Sequence, residues 1–353
     1  MTESAAAPTI IRATTDTLPG AALVVGGLTV VERAIRQRAA LPGARVTVLS
    51  DGKVPLPVAL PPHVVVADAA SAERAPDDVP ANLVDPAGRP GTGATPILVT
   101  DQATRARAED AIFAELLRGD LGIVARYLNK PVSFRLTRYI FCRLPFTPNQ
   151  ITLGAGLLGL VGAALISRGS YVAVVLGFVL AHVQSILDGC DGELARVRFQ
   201  RSAIGEWLDT FVDDGLNLAL IAAVACAVRN PERSSLPSFA PIVAWTAFGM
   251  MLFYNIVTYR ELIRQGEGGS VLKVRWWFTG GAEVKVMAGA GKKTLGAFLF
   301  NLGRRDVFVL VWLILAIFDR LNVVVLFAFV VAVVSFIVGA GQLVARFRGS
   351  LTR

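Results

Sequence analysis

Charge is scarce in this chain. Charged residues make up 18% of its 353 residues, against about 25% in a typical soluble domain. Cysteine is scarcer still: Cys142, Cys190 and Cys226 stand too far apart for a zinc site or a disulfide framework. No zinc-finger or stacking-aromatic pattern supports a nucleic-acid partner. Residues 1–20, MTESAAAPTIIRATTDTLPG, lack a basic stretch followed by an apolar run, so no signal peptide is expected. No internal repeat is visible. Apolar residues are in excess instead: the hydrophobic set is 54% of the chain and mean hydropathy is +0.56. That excludes disorder and a collagen-like chain, and it argues against one ordinary soluble globule. The length allows two or three domains, and the composition is that of a membrane protein with a soluble part.

Charge divides unevenly. Residues 1–120 carry 11 Lys/Arg and 14 Asp/Glu, whereas residues 121–353 carry 24 and 13. The basic excess therefore belongs to the apolar part, where it suits positive-inside loops and anionic lipid or phosphate ligands. In the first 120 residues, AALVVGG (21–27) reads as a short buried strand and 28–40 as a helix. RVTVLS (45–50), HVVVAD (63–68) and PILVTD (96–101) read as strands, and about 104–118 as a second helix. Such alternation argues for a small cytosolic α/β domain with a parallel sheet, interrupted by a Pro/Gly-rich loop over 76–96. Residues 121–146 interleave Arg126, Lys130, Arg135, Arg138 and Arg143 with Tyr127, Phe134, Tyr139, Ile140 and Phe141. This is a basic amphipathic segment suited to the membrane interface.

Residues 147–353 hold six apolar segments: 150–167, 171–188, 207–228, 238–258, 306–319 and 322–345. A spanning helix needs about 20 mostly apolar residues, so the fifth is short. With six spans, the basic 189–206 loop, the 259–305 loop and the C-terminal tail share one side. Both termini are then expected in the cytosol.

The stretch that carries chemistry is DGCDGELARVRFQRSAIGEWLDTFVDD, 188–214. Asp188 and Asp191 are three apart; Asp209 and Asp213 are four apart. Each pair shares one helix face, so two antiparallel helices can aim four carboxylates at one point. A charge at mid-bilayer costs roughly 2.5–3.5 kcal/mol, so four cost on the order of 10 kcal/mol if additive. Divalent cations are the natural compensation, and all-oxygen ligands suit Mg²⁺, Mn²⁺ or Ca²⁺ rather than zinc. Gln184 and Asn217 continue the acidic faces as polar stripes, lining a wet cavity or bonding between helices.

The pattern Asp188-x2-Asp191-Gly192-x2-Ala195-Arg196-x8-Gly205-x3-Asp209-x3-Asp213 resembles the signature of the CDP-alcohol phosphotransferase family at every fixed position. TPNQIT (147–152), before the first span, also resembles members of that family. The resemblance implies a six-helix membrane domain, a homodimer and a transfer reaction. In it, an acceptor hydroxyl attacks the β-phosphorus of a CDP-alcohol and CMP leaves. It implies Asp188, Asp191, Asp209 and Asp213 as ligands of two Mg²⁺ (or Mn²⁺) ions, with Asp213 mainly the general base. Gly192, Ala195, Arg196 and Gly205 would accommodate the CDP group. The chain departs from the family after the last aspartate, where Asp214 stands in place of a frequent basic residue. The motif does not choose between CDP-diacylglycerol and a soluble CDP-polyol as donor. Arg260, Arg304 and Arg305, at the cytosolic ends of later spans, suit a phosphorylated acceptor such as an inositol phosphate; they also suit anchors to lipid headgroups. A cation transporter using the same carboxylates is the competing reading. It would favour repeats and broken helices, and it gives no reason for the two glycines, Ala195 and Arg196.

The segments GGLTVVERAIRQ (26–37) and LVTD (98–101) resemble pieces of a sugar-nucleotide cytidylyltransferase domain. Such a domain precedes the membrane domain in bifunctional inositol-phosphate cytidylyltransferase/di-inositol-phosphate-phosphate synthases. No Gly-x-Gly-x-x-Arg loop is present, so a degenerate, non-catalytic version is expected. Asp101 reads either as a remnant of a metal-binding aspartate or as a turn residue at the end of a strand.

Overall fold

A computed structural model describes residues 9–13, 23–39, 46–50, 52, 54, 56–57, 60–61, 64–68, 79–80, 83–84, 96–117, 122, 124–230, 237–265, 269, 274–279 and 304–351. The chain forms two compact units. One comprises 1–121, 134–146 and 193–200; the other comprises 122–133, 147–192 and 201–353.

The first unit is a small α/β region. Its strands are β1 (Thr9–Ala13), β2 (Val24–Val25), β3 (Leu28–Thr29), β4 (Val46–Ser50), β5 (Val64–Asp68), β6 (Val79–Pro80), β7 (Leu83–Val84) and β8 (Ile97–Leu98). Its helices are α1 (Val30–Ala39) and α2 (Gln102–Leu116). The main sheet is parallel, in the order β5-β4-β1-β6. Ile11 and Val48 pair across it and are wholly buried with Val31 and Ile35 of α1. The parallel sheet is as expected, but three details differ. The sheet's inner strand β1, TIIRA, was not among the expected strands. Within AALVVGG the described strand is only β2, and it is not part of the parallel sheet: Gly26 and Gly27 take φ of 57° and 78° and turn β2 into β3 as an antiparallel hairpin. Two successive positive φ values favour a Gly-Gly pair there. Within 76–96, β6 joins the main sheet and β7 pairs antiparallel with β8, so PILVTD contributes only a two-residue strand outside the parallel sheet; residues 76–78, 81–82 and 85–95 lie outside the described residues. Asp101 caps α2: its Oδ1 accepts from Thr104 N at 2.8 Å while Thr104 Oγ1 accepts from Asp101 N at 3.0 Å. The hydrogen bonds from Thr104 hold this exposed carboxyl below the usual aspartate range.

Residues 134–146 pack into the same unit. Phe134 meets Phe113 edge to face at 5.6 Å, and Arg138 pairs with Asp110 at 2.6 Å. Arg198 is buried and donates to the carbonyls of Phe141, Cys142, Leu144 and Phe146. Burial pushes the Cys142 thiol up to about 11, so it is protonated at neutral pH.

The helices of the second unit are α4 (Pro148–Ser167), α5 (Tyr171–Val197), α6 (Ala203–Ala227), α7 (Ala240–Gln265), α8 (Arg305–Ile317) and α9 (Leu321–Leu351); the last turns of α5 belong to the first unit. Before them, π-helical Ala125–Asn129 leads into α3 (Lys130–Leu136) and π-helical Thr137–Phe141. Among the described residues five helices, α4, α5, α6, α7 and α9, are long and apolar enough to cross a membrane. The expected fifth span, α8, has 13 residues and falls short of that length. Phe178, Leu220, Val224, Trp312 and Val324 form part of the apolar core, at the end of the bundle away from the aspartates. Small residues bring α4 close to its neighbours: a Cβ on Gly159 would lie 2.8 Å from Leu216, and one on Gly162 2.8 Å from the Gly177 carbonyl. This close approach fixes where the first turns of α4 meet the acidic faces.

Candidate active site

Helical periodicity puts Asp188 and Asp191 on one face of α5, and α6 presents Asp209 to them. Oxygens of these three carboxylates lie within 4.8 Å of one another. Asp188 Oδ1 is buried without a hydrogen-bond partner. Three hard carboxylates around one point, one with a buried orphan oxygen, fit a divalent cation. Lys130 stands close by. A Cβ on Gly189 would lie 3.7 Å from Lys130 Nζ, and the charges of Arg305 and Lys130 both reach Asp188.

The start of α4 orients the second ligand. Thr147 and Gln150 form a capping box, with Pro148 in the first turn. One turn on, the hydroxyl of buried Thr152 donates to Asp191 Oδ2. A Cβ on Gly205 would sit 3.1 Å from Asn149 Oδ1, so a larger residue there would crowd the cap. TPNQIT is thus a helix start that presents Thr152 to Asp191. Sequence reasoning singled out the segment but not Thr152; the signal was its place one turn after the cap.

Asp213 lies outside the three-carboxylate group and forms an ion pair with Arg305. Arg305 Nη2 also donates to Gln184 Oε1 at 2.6 Å. Gln184 is therefore a helix-to-helix hydrogen bond. Asn217 lines a cavity of about 550 Å³ with Asp214, Asn255 and Arg304, and its Oδ1 is buried without a partner. Asp214 accepts from the Tyr259 hydroxyl at 2.7 Å. Arg304 pairs with a different carboxylate: its Nε lies 3.3 Å from Asp306 Oδ1, while Asp306 Oδ2 accepts from Ala125 N at 2.9 Å. Arg260 is exposed near the end of α7. Gly192 follows Asp191 on α5, and Ala195 and Arg196 lie on its last turn.

Comparison with known proteins agrees with this geometry. Residues 146–317 match the CDP-alcohol phosphatidyltransferase family. The chain is 34% identical over 142 residues to the bifunctional IPC transferase and DIPP synthase of Aquifex aeolicus, covering 39% of this chain and 30% of that protein. To the protein of the same name from Thermococcus kodakarensis it is 36% identical over 135 residues, covering 37% and 30%. For the one from Archaeoglobus fulgidus the values are 30% over 135 residues, 38% and 26%. These matches span less than a third of each relative's own length. Residues 146–317 of this chain thus match a CDP-alcohol phosphatidyltransferase domain.

Proposed function

We propose that the chain transfers a phosphatidyl or other substituted phosphoryl group from a CDP-alcohol to an acceptor hydroxyl. The observation that carries this reading is the convergence of Asp188, Asp191 and Asp209 within the matched domain. These three would hold Mg²⁺ or Mn²⁺, with Asp213 completing a two-ion set. Such ions neutralise charge on both sides of the reacting phosphorus. Gly192, Ala195, Arg196 and Gly205 face the CDP group. The acceptor oxygen forms its bond to the β-phosphorus as the bond to CMP breaks, and the hydroxyl proton passes to the Asp213 carboxylate.

Arg305 gives the acceptor side its logic. It pairs with Asp213, and its guanidinium is a good partner for phosphate. A phosphorylated acceptor would compete for that guanidinium and free the base as its own hydroxyl arrives. The resemblance to bifunctional inositol-phosphate cytidylyltransferase/di-inositol-phosphate-phosphate synthases supports an acceptor of inositol-phosphate type. The same reading makes α8 the short fifth of six spans and places residues 121–146 in the membrane interface. It also places both termini and the site on the cytosolic side, in a homodimer, with a non-catalytic first domain. No element here is a broken helix of the kind a transporter needs among the described residues.

The deciding assay sets CDP-diacylglycerol and a CDP-polyol against inositol, inositol phosphate, glycerol phosphate and serine, read as CMP release. Inositol phosphate is expected to be preferred. Arg305→Ala is expected to raise its KM by about tenfold, the scale of one lost charged hydrogen bond. A preferred acceptor without phosphate would overturn the proposed acceptor contact. CTP with a phosphorylated polyol should release no pyrophosphate.

A further inference from the structure

α5 ends in an unusual way. Gln200 N donates to Ala195 O at 2.9 Å and Phe199 N to Arg196 O at 3.4 Å, the two bonds of a Schellman turn. The left-handed position in that turn is ordinarily glycine. Here it is Phe199, with φ of 55°. A side chain there is strained, by about 1–2 kcal/mol, so something must hold the turn. The two carbonyls it satisfies belong to Ala195 and Arg196, the pair matching the CDP-facing positions of the motif.

The brace comes from α1. Arg33 is 2% exposed, among the largest buried side chains of the protein. Its Nη2 donates to Val197 O at 2.7 Å and to Val25 O at 3.0 Å, and its guanidinium lies 5.5 Å from the centre of the Phe199 ring. Burial lowers Arg33 to about 10, offset in part by nearby Glu109 and Glu32, so it stays charged at neutral pH. The Gly26–Gly27 hairpin closes over the same turn. A Cβ on Gly26 would lie 2.5 Å from Val197 Cγ1, and one on Gly27 2.8 Å from Arg198 Nε. Glu109 of α2 steadies the hairpin by accepting from Gly26 N at 3.2 Å. The Gly-Gly pair is thus accounted for by a tight turn pressed on the end of α5, without a nucleotide loop.

We infer that Arg33 is a positioning residue for the donor: it holds the strained end of α5, and with it Ala195 and Arg196, in the conformation that receives the CDP group. The inference rests on the proposed transferase activity and gives the first domain a role other than catalysis. Loosening the turn should disturb donor binding and spare the metal ligands: Asp188 and Asp191 lie one to two turns before Ala195 on α5, and Asp209 lies on α6.

The test uses the full-length protein in lipid nanodiscs. Arg33→Ala is expected to speed amide exchange at Phe199 and Gln200. It should raise KM for the CDP-alcohol by about tenfold, the scale of one hydrogen bond from a charged donor. The acceptor KM and Mn²⁺ affinity should change less than twofold. Adding Phe199→Gly, which takes the left-handed conformation without strain, should restore most of the donor KM. Unchanged exchange in a folded Arg33→Ala protein would overturn the inference. So would an equal loss of donor, acceptor and metal binding, or a double variant no better than the single one. A wild type that turns over no CDP-alcohol would sink the activity reading alone; the exchange measurement would still decide whether Arg33 holds the turn.

Discussion

Asp188→Asn is expected to reduce CMP release by on the order of a thousandfold or more, and to weaken Mn²⁺ binding in parallel. Asp188 has a buried oxygen with no hydrogen-bond partner, and its two neighbours in the cluster are carboxylates as well. Asparagine keeps the shape and removes the charge, so the change isolates the electrostatic contribution. Thr152→Ala provides the internal scale. It leaves all the carboxylates in place and removes the hydroxyl that orients Asp191. Loss of such a supporting bond typically costs about 10- to 100-fold in metal affinity or activity. The two variants should therefore rank clearly, with Asp188→Asn the worse by roughly tenfold or more. Calorimetric Mn²⁺ titration alongside initial rates checks this. An Asp188→Asn protein with wild-type turnover at low Mg²⁺ would remove Asp188 from the metal set.

Asp213→Asn should lose about 10²- to 10⁴-fold in turnover, the usual contribution of a positioned general base, while keeping CDP-alcohol affinity near the wild-type value. The structure gives a reason for that split. Asp213 stands apart from the three converging carboxylates and is engaged by Arg305 instead. Its loss leaves the cluster intact and releases a guanidinium that remains available to phosphate. Equilibrium binding of the donor, compared with kcat, separates the two possibilities. If binding and turnover fall by the same factor, Asp213 is chiefly a ligand. The comparison with Asp188→Asn is the informative one, because there binding and turnover are expected to fall together.

The aspartate pattern was legible in the sequence because helical spacing alone decides which residues share a face. The convergence of Asp188, Asp191 and Asp209 follows from that spacing once α5 and α6 run side by side. Asp213 shows where spacing stops. Its distance from Asp209 puts it on the same face, but a long-range partner, Arg305, engages it. Arg198 is a second case. As a letter in a basic loop it reads as a positive-inside charge; in the structure it is buried under four carbonyls. Burial of an arginine by backbone acceptors leaves no mark on local composition. The inner strand β1 escaped detection for a related reason. TIIRA is five residues long and shows no period-two alternation, and it is the pairing with β4 that makes it a strand. The hairpin at Gly26–Gly27 was hidden by the apolar run before it, although the glycine pair itself was the turn signal.

The measurement closest to the central claim is CMP release by the purified full-length protein in nanodiscs, supplied with a CDP-alcohol, a pool of acceptor alcohols and Mg²⁺. CMP is expected to form in equal amount to the new phosphodiester, to stop on chelation and to resume when Mg²⁺ or Mn²⁺ is restored. No CMP from any donor and acceptor pair, or release that persists undiminished in chelator, would contradict a metal-dependent CDP-alcohol transferase.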